Sequence, residues 1–423
     1  MKELIKKLYP ICRSITGNGV RESLDIIKEE IPTLDVIEIP SGTKVYDWTV
    51  PKEWNILDAW VKDSAGNKII DFKINNLHLV NYSIPINIKL GFSELKKHIH
   101  TLPDNPDWIP YRTTYYNEDW GFCISHNSLE EIELLDGLTN NGEYHVCIDS
   151  SLTDGHLTYG EVYIPGKSKE EILFSSYLCH PSMANDNLSG PVLITELAKN
   201  LAQEEHYYSY RFLFIPETIG AITWLSLNED RVKNIKGGIV ATCIGDSGMI
   251  QYKRSRQSDT MMDNVVQKVL EDTDIKHNIR AFAPLGSDER QYCSPGINLP
   301  VGCLTRTPYG EFDEYHTSAD NLDFIDNDAM EESYDILQEI VYYLEYNRKY
   351  INNNLKCEPN LGNRGLYDLI GAGNRNESIA LYKWILNYSD GHHSLIDISN
   401  KCNIDFHTIL QAAKDLESAD LIS

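Results

Sequence analysis

The spacing of apolar residues changes three times along the chain, and each change predicts a different kind of structure. In residues 1–31 apolar side chains recur every three or four positions: Leu4, Ile5, Leu8 and Ile11, then Val20, Leu24, Ile27 and Ile31. That spacing predicts two amphipathic helices, parted by the turn Thr16-Gly17-Asn18-Gly19. Leu34–Ile39 alternates as a strand does, with β-branched Val36 and Ile37. From Pro40 to about residue 125 the apolar runs are short and rich in aromatics, as at Trp48–Val50, Ile56–Val61, Lys68–Phe72, Leu77–Val80 and Ile84–Leu90. Turn residues such as Ala65-Gly66-Asn67 and Asn75-Asn76 break them, which predicts an inserted all-β, jelly-roll-like domain over 41–125.

From about residue 130 strand-like runs alternate with helical ones. The strands are expected at Tyr144–Ile148, Leu157–Ile164, Glu171–Leu178, Arg211–Ile215, Gly238–Ile244, Ile279–Ala283 and Leu299–Leu304. Helices are expected at Gly190–Gln203 and Asp326–Asn347. This alternation predicts an α/β domain with a mostly parallel, helix-flanked sheet, formed by 1–40 together with 126–352. A polar stretch after Tyr350 leads into three more helical runs, Ile379–Asn387, Ser394–Lys401 and Asp405–Ser418, read as a winged-helix-like domain over 353–423. The last of these helices carries His407, Gln411, Lys414, Asp415 and Glu417, a poor basic face, so a packing or interaction role is expected rather than DNA binding.

Composition narrows the functional classes. A chain of 423 residues can bury a sizeable core, and its formal charge of −25 argues against nucleic acid and anionic membranes as partners. Nine scattered cysteines with no Cys-x-x-Cys spacing read as reduced thiols, and no apolar run approaches the ~20 residues of a membrane span. The expectation is a soluble cytoplasmic protein.

The chemistry gathers where predicted strands end. The run Glu171–Leu178 delivers His180 into a loop, the loop offers Asp186, and a helix follows from Gly190. Ligands of open α/β sheets bind at the carboxyl ends of strands, and imidazole and carboxylate both suit zinc. Glu217 follows Arg211–Ile215, Asp246 follows Gly238–Ile244, and His316 precedes the long helix at Asp326. Taken singly, Glu217 also reads as a helix-capping residue and Asp246 as a turn residue.

Asp186-Asn187-Leu188-Ser189-Gly190 resembles the Asp-Asn-x-Ser-Gly signature of the co-catalytic zinc aminopeptidases of the M28 class. The whole chain resembles a bacterial aminopeptidase-like branch with an inserted β domain and a C-terminal winged helix. The resemblance implies a first-metal ligand at His180, a metal-bridging Asp186, a general base at Glu217, a first-metal carboxylate at Asp246 and a second-metal ligand at His316. Glu314-Tyr315-His316-Thr317-Ser318-Ala319-Asp320 matches the family's His-Thr-x-x-Asp motif. Three positions depart from the pattern. Thr218 stands where a second-metal Glu is usual, Ser182 where an Asp orients the imidazole, and Glu289 where a His follows Asp288. One or two zinc ions are therefore implied, with Asp288 structural and with Tyr309 and Tyr315 as substrate-binding donors. The implied activity is a metallo-aminopeptidase acting on short peptides. A deacylase or amidohydrolase on a small amide or modified sugar uses the same centre, and a non-catalytic scaffold on a peptidase fold is the third reading.

Overall fold

The computed structural model describes residues 1–139, 142–366 and 375–423. In chain order come α1 (Lys2–Leu8), α2 (Asn18–Glu30), β1 (Asp35–Pro40), β2 (Glu53–Lys62), β3 (Lys68–Asp71), β4 (Ile86–Gly91), α3 (His126–Thr139) and β5 (Glu143–Thr153). Next are β6 (His156–Ile164), β7 (Glu171–Tyr177), α4 (Ser189–Leu201), β8 (Ser209–Ile215), α5 (Ile219–Leu227), β9 (Ile235–Ala241) and β10 (Ile250–Lys253). Then follow α6 (Met261–Asp272), β11 (His277–Arg280), β12 (Val301–Thr305), α7 (Asn327–Tyr346), β13 (Lys349–Ile351), α8 (Arg375–Tyr388), β14 (Asp390–Ser394), α9 (Leu395–Cys402) and α10 (Phe406–Ser418). These elements form two compact units, residues 1–258 with 277–334, and residues 259–276 with 335–423.

The first unit is built on an eight-stranded sheet of order β1-β6-β8-β7-β9-β12-β10-β11. Strands β8, β7, β9 and β12 are parallel neighbours, while β1, β6 and β10 pair antiparallel toward the edges. Every residue of β7 and β8 is buried. Strands covered on both faces need apolar side chains throughout, which is why they read as continuous runs. The charged exceptions are paired, with Arg231 also reaching Glu161 at 3.4 Å. Arg211 of β8 donates from Nε to Glu171 of β7 at 2.6 Å and from Nη1 to Glu161 of β6, so no charge is left unpaired inside. Helix α5 is apolar nearly all round and packs Ile219, Ala221 and Trp224 into a core with Leu213, Ile215 and Tyr292. The four parallel strands share a carboxyl edge, and from it spring the loops at 178–188, 216–218, 242–249 and 306–326.

The main sheet of the inserted β region is four-stranded and antiparallel, of order β3-β2-β5-β4, and two short two-stranded pairings, 44–45 with 48–49 and 99–100 with 122–123, accompany it. Its extent corrects the expected boundary at 125. Leu129 and Ile132 of α3 and Tyr144, Val146 and Ile148 of β5 share a core with Trp54, Ala59, Val61 and Phe122. Strand β5, expected in the large sheet, therefore belongs to the insert. Trp54 is buried in this core, and its indole N–H donates to the Ser83 carbonyl at 2.8 Å.

The second unit is helical. Helix α9 opens on a capping box between Ser394 and Asp397, and α10 on Asp405, whose carboxylate accepts from the Thr408 N–H. Tyr343 of α7 and Phe406 of α10 stack with ring centroids 4.2 Å apart. Strands β13 and β14 pair as a short antiparallel ribbon. Helix α6 and the later turns of α7 cluster with this unit, ahead of the expected start at 353. Positions 367–374 of the polar stretch lie outside the described residues. Among the described residues no helix is long and apolar enough to cross a membrane, and all nine cysteines are free thiols.

Candidate metal centre

His180, Asp186 and His316 come together at the carboxyl edge of the parallel strands, with one ligand atom from each lying within 4.8 Å of the others. Strand β7 ends at Tyr177, and the loop after it places His180 with its carbonyl held by the buried Arg13 guanidinium at 2.9 Å. The His180 Nδ1 faces the Cys179 sulfur at 3.5 Å, leaving Nε2 toward the cluster. Ser182 takes no part in orienting this ring, because its hydroxyl donates to the Tyr9 carbonyl at 2.9 Å. Arg13 and Cys179 hold the histidine instead.

Asp186 is fully buried and anchored on three sides. The Tyr177 hydroxyl donates to its Oδ1, and Thr242 donates in turn to Tyr177 at 2.8 Å. Asp320, the Asp of the His-Thr-x-x-Asp motif, accepts backbone N–H groups from Asn185 at 2.6 Å and Asp186 at 2.8 Å. The peptide from Asp186 to Asn187 is cis. Asn187 ties the loop to Ser176 and to the Cys243 N–H. The result is a carboxylate with one oxygen pinned and the other free. Asp186 Oδ2 lies 2.9 Å from His316 Nε2, yet both atoms are buried and neither is hydrogen-bonded. Two buried polar atoms converging without a shared hydrogen bond is costly unless a third group satisfies both. Two imidazoles and a carboxylate are donors that zinc takes in its common sites, so the residues fit the ion that the resemblance implies.

The electrostatics agree with that fit. Burial pushes the His180 imidazole down to about 4, so it stays neutral and able to ligate at ordinary pH. Burial alone would raise the Asp186 carboxyl, but the ring nitrogens of His180 and His316 and the Tyr177 hydroxyl outweigh it and hold it at about 2.

Glu217 stands beside this cluster, its Oε2 4.0 Å from His180 Nε2. A tight γ-turn puts it there: the Ile219 N–H donates to the Glu217 carbonyl at 2.8 Å across Thr218, whose φ of 64° and ψ of −72° are strained for a β-branched residue. Ser182, Cys243 and His316 in the other three loops also have positive φ, at 37°, 46° and 56°. Strain gathered in this way marks sites whose geometry is imposed by surrounding packing. Burial, with the Asp288 and Asp186 charges, raises the Glu217 carboxyl well above its ordinary value, and Arg290 opposes them.

The remaining expected residues separate. Asp246 is not brought into the cluster. Its Oδ1 accepts from Gly248 at 2.7 Å and Thr307 Oγ1 at 2.6 Å, and its Oδ2 from Asn185 Nδ2 at 3.0 Å and the Thr307 N–H at 3.2 Å. Four donors leave it no lone pair to spare, and it serves as a tie between loops. Tyr315 stacks on His316 with centroids 3.9 Å apart. Tyr309 lies to one side, its hydroxyl near Gly286, where an added Cβ would come within 2.9 Å of it. Tyr111 was not foreseen. It comes from the insert, packs its ring 5.3 Å from His180 and 5.1 Å from His316, and donates its N–H to the His316 carbonyl at 2.7 Å.

Asp288 accepts the Thr218 N–H at 2.7 Å, and burial, reinforced by Glu289, raises its carboxyl to about 7 from 3.8. The folded protein then holds a proton that the unfolded chain releases near 3.8. The associated stability is complete below about pH 3.8 and lost as the pH rises toward 7. Asp288→Asn carries no buried charge at any pH. The melting temperature of the metal-free variant relative to wild type is expected to rise between pH 5 and pH 8; a constant difference across that range would refute the assignment.

Comparison with known proteins gives three kinds of likeness. A family model described as "Domain of unknown function (DUF4910)" matches residues 2–347, and one described as a winged helix-turn-helix matches 348–423. A Clostridium acetobutylicum protein named as a candidate polysaccharide biosynthesis protein with an aminopeptidase-like domain is 54% identical over 421 residues, 99% of this chain and 95% of its own. The crystal structure of a candidate peptidase from Clostridium acetobutylicum superimposes with a TM-score of 0.93 at 52% identity, covering 100% of this chain and 95% of that one. A zinc aminopeptidase from Bacillus subtilis superimposes with a TM-score of 0.56 at 12% identity, covering 81% and 95%. The fold is thus that of the zinc aminopeptidases.

Proposed function

The chain belongs to the family described as a domain of unknown function (DUF4910), and from that premise we propose that it is a zinc-dependent hydrolase of the amide bond in a short peptide or small amide. In this reading His180, Asp186 and His316 hold one ion and Glu217 moves the proton. The observation that carries it is the pair of unsatisfied buried atoms, Asp186 Oδ2 and His316 Nε2, 2.9 Å apart beside Glu217. Zinc bound there supplies Lewis acidity toward a carbonyl and toward water. The chain supplies the rest. In this reading Glu217 Oε2 takes a proton from water and passes it to the departing amine, and burial, which raises its carboxyl above the ordinary value, favours its holding that proton. Tyr315 and Tyr111 pack against the histidines and hold their rings. Thr218 has no carboxylate to offer a second ion, and its hydroxyl accepts from Arg290 at 2.8 Å.

The deacylase form of this reading, with an acylated sugar amine as substrate, is favoured by the polysaccharide biosynthesis role in the name of the Clostridium acetobutylicum relative. The test is release of amine from a panel of aminoacyl amides and N-acetylated amino sugars by zinc-reconstituted protein. Release that a chelator stops and zinc restores is expected, and the cleaved member decides between peptide and sugar. A zinc-loaded, folded protein that cleaves no member of the panel would overturn the proposal.

A further inference from the structure

Where the resemblance implies a second metal ligand, the structure has a cation of its own. Arg290 is half-buried beside the Glu217 loop, and its Nη2 donates to Thr218 Oγ1 at 2.8 Å. Its Nε donates to the Ser287 carbonyl at 3.2 Å. Those two bonds use the side edge of the guanidinium and hold the plane fixed. Among the described residues no carboxylate is hydrogen-bonded to Arg290, although its charge bears on Glu217 and Asp288 and acids flank it in sequence. Asp288 is turned to the Thr218 N–H, and Glu289 is paired with Lys253. The Nη1–Nη2 edge is therefore left open, in a chain of net charge −25 that has carboxylates to spare. A guanidinium held flat with one free edge is the geometry that takes a carboxylate through two parallel hydrogen bonds.

We infer that Arg290 binds a carboxylate on the substrate, so that the amide cleaved beside Glu217 belongs to an anionic compound rather than to a peptide with a free N-terminal ammonium. This rests on the hydrolase reading for the cleavage, but not for the binding. Thr218 then has a physical reason to replace Glu: a carboxylate at 218 would ion-pair with Arg290 and close the open edge.

The test uses zinc-loaded full-length protein and matched probes, N-acetyl amino acids and their methylamides, with calorimetric binding and amine release both measured. Wild type is expected to prefer the acids by about tenfold or more, and Arg290→Gln to lose that preference. Thr218→Glu is expected to lose it too, which keeps the inference open to test if Arg290→Gln does not fold. Equal binding and equal cleavage of acid and methylamide by wild type overturns the inference and leaves the hydrolase reading standing. A tenfold binding preference without any cleavage upholds Arg290 and overturns the hydrolase reading. A preference that survives in folded Arg290→Gln places the carboxylate on the ion instead and also overturns the inference.

Discussion

Glu217→Gln is expected to lower turnover about a thousandfold, the loss of a positioned general base, while zinc content stays at the wild-type level. Gln keeps the size of the side chain and the γ-turn at Thr218, since that turn is made by backbone atoms alone. What it removes is the capacity to accept a proton 4.0 Å from His180 Nε2. The cost corresponds to about 4 kcal/mol of transition-state stabilisation, larger than any effect of repacking a half-buried side chain without changing its volume. Because Glu217 lies outside the three-residue cluster, metal content separates loss of chemistry from loss of the site. The measurement is kcat on whichever amide the zinc-loaded wild type cleaves, with elemental mass spectrometry on the same samples. A loss below about tenfold would mean that another group moves the proton.

The same geometry shows which parts of the site could be read from residue order. His180 and Glu217 could be placed from residue order because each stands just past a strand that is buried along its whole length, and such strands announce themselves as continuous apolar runs, while Asp186 opens the Asp-Asn-x-Ser-Gly run. Asp246 stands apart from the cluster for a local reason. A strand-end Asp looks the same whether it faces a metal or its own turn, and the decisive donors, Asn185 and Thr307, are remote in sequence. Tyr111 and Arg13 left no signal at all, since they reach the site from the insert and from the N-terminal helices through contacts that span the chain. Strand β5 carried a signal that was available but not used. Its burial alternates over Tyr144, Val146 and Ile148, the period of a strand covered on one face, and that pattern belongs with the antiparallel sheet of the insert rather than with β7 and β8.

The loops that carry the chemistry are stitched together by groups from all over the first unit. The insert is joined to the His316 loop by Tyr111 and by reciprocal bonds between Ile109 and Ser318, at 2.9 Å and 2.8 Å. Asp320 binds the Asp186 loop from the other side. The Tyr111 ring that packs against both histidines is thereby fastened to the backbone that positions one of them, so the insert is a structural part of the centre.

Purified without chelators, the protein is expected to carry about one zinc ion per chain, and His180→Ala, Asp186→Asn and His316→Ala are each expected to lose it. Three ligands leave no redundancy, so removing one leaves two donors and a site too weak to survive purification. Asp246→Asn is the contrasting variant. Its amide can still accept from Thr307 Oγ1 and Gly248 on one side, but on the other it sets a donor against the Asn185 amide and the Thr307 N–H. That change is expected to cost about 1–3 kcal/mol of stability and no zinc. Elemental analysis of the four variants beside wild type, with urea unfolding of each, makes the comparison. About two ions in wild type, or zinc loss in folded Asp246→Asn as complete as in His316→Ala, would restore Asp246 as a ligand and a second ion with it. No zinc in wild type even after the metal is supplied would remove the hydrolase reading, because the two unsatisfied atoms at Asp186 and His316 would then have to be explained without an ion.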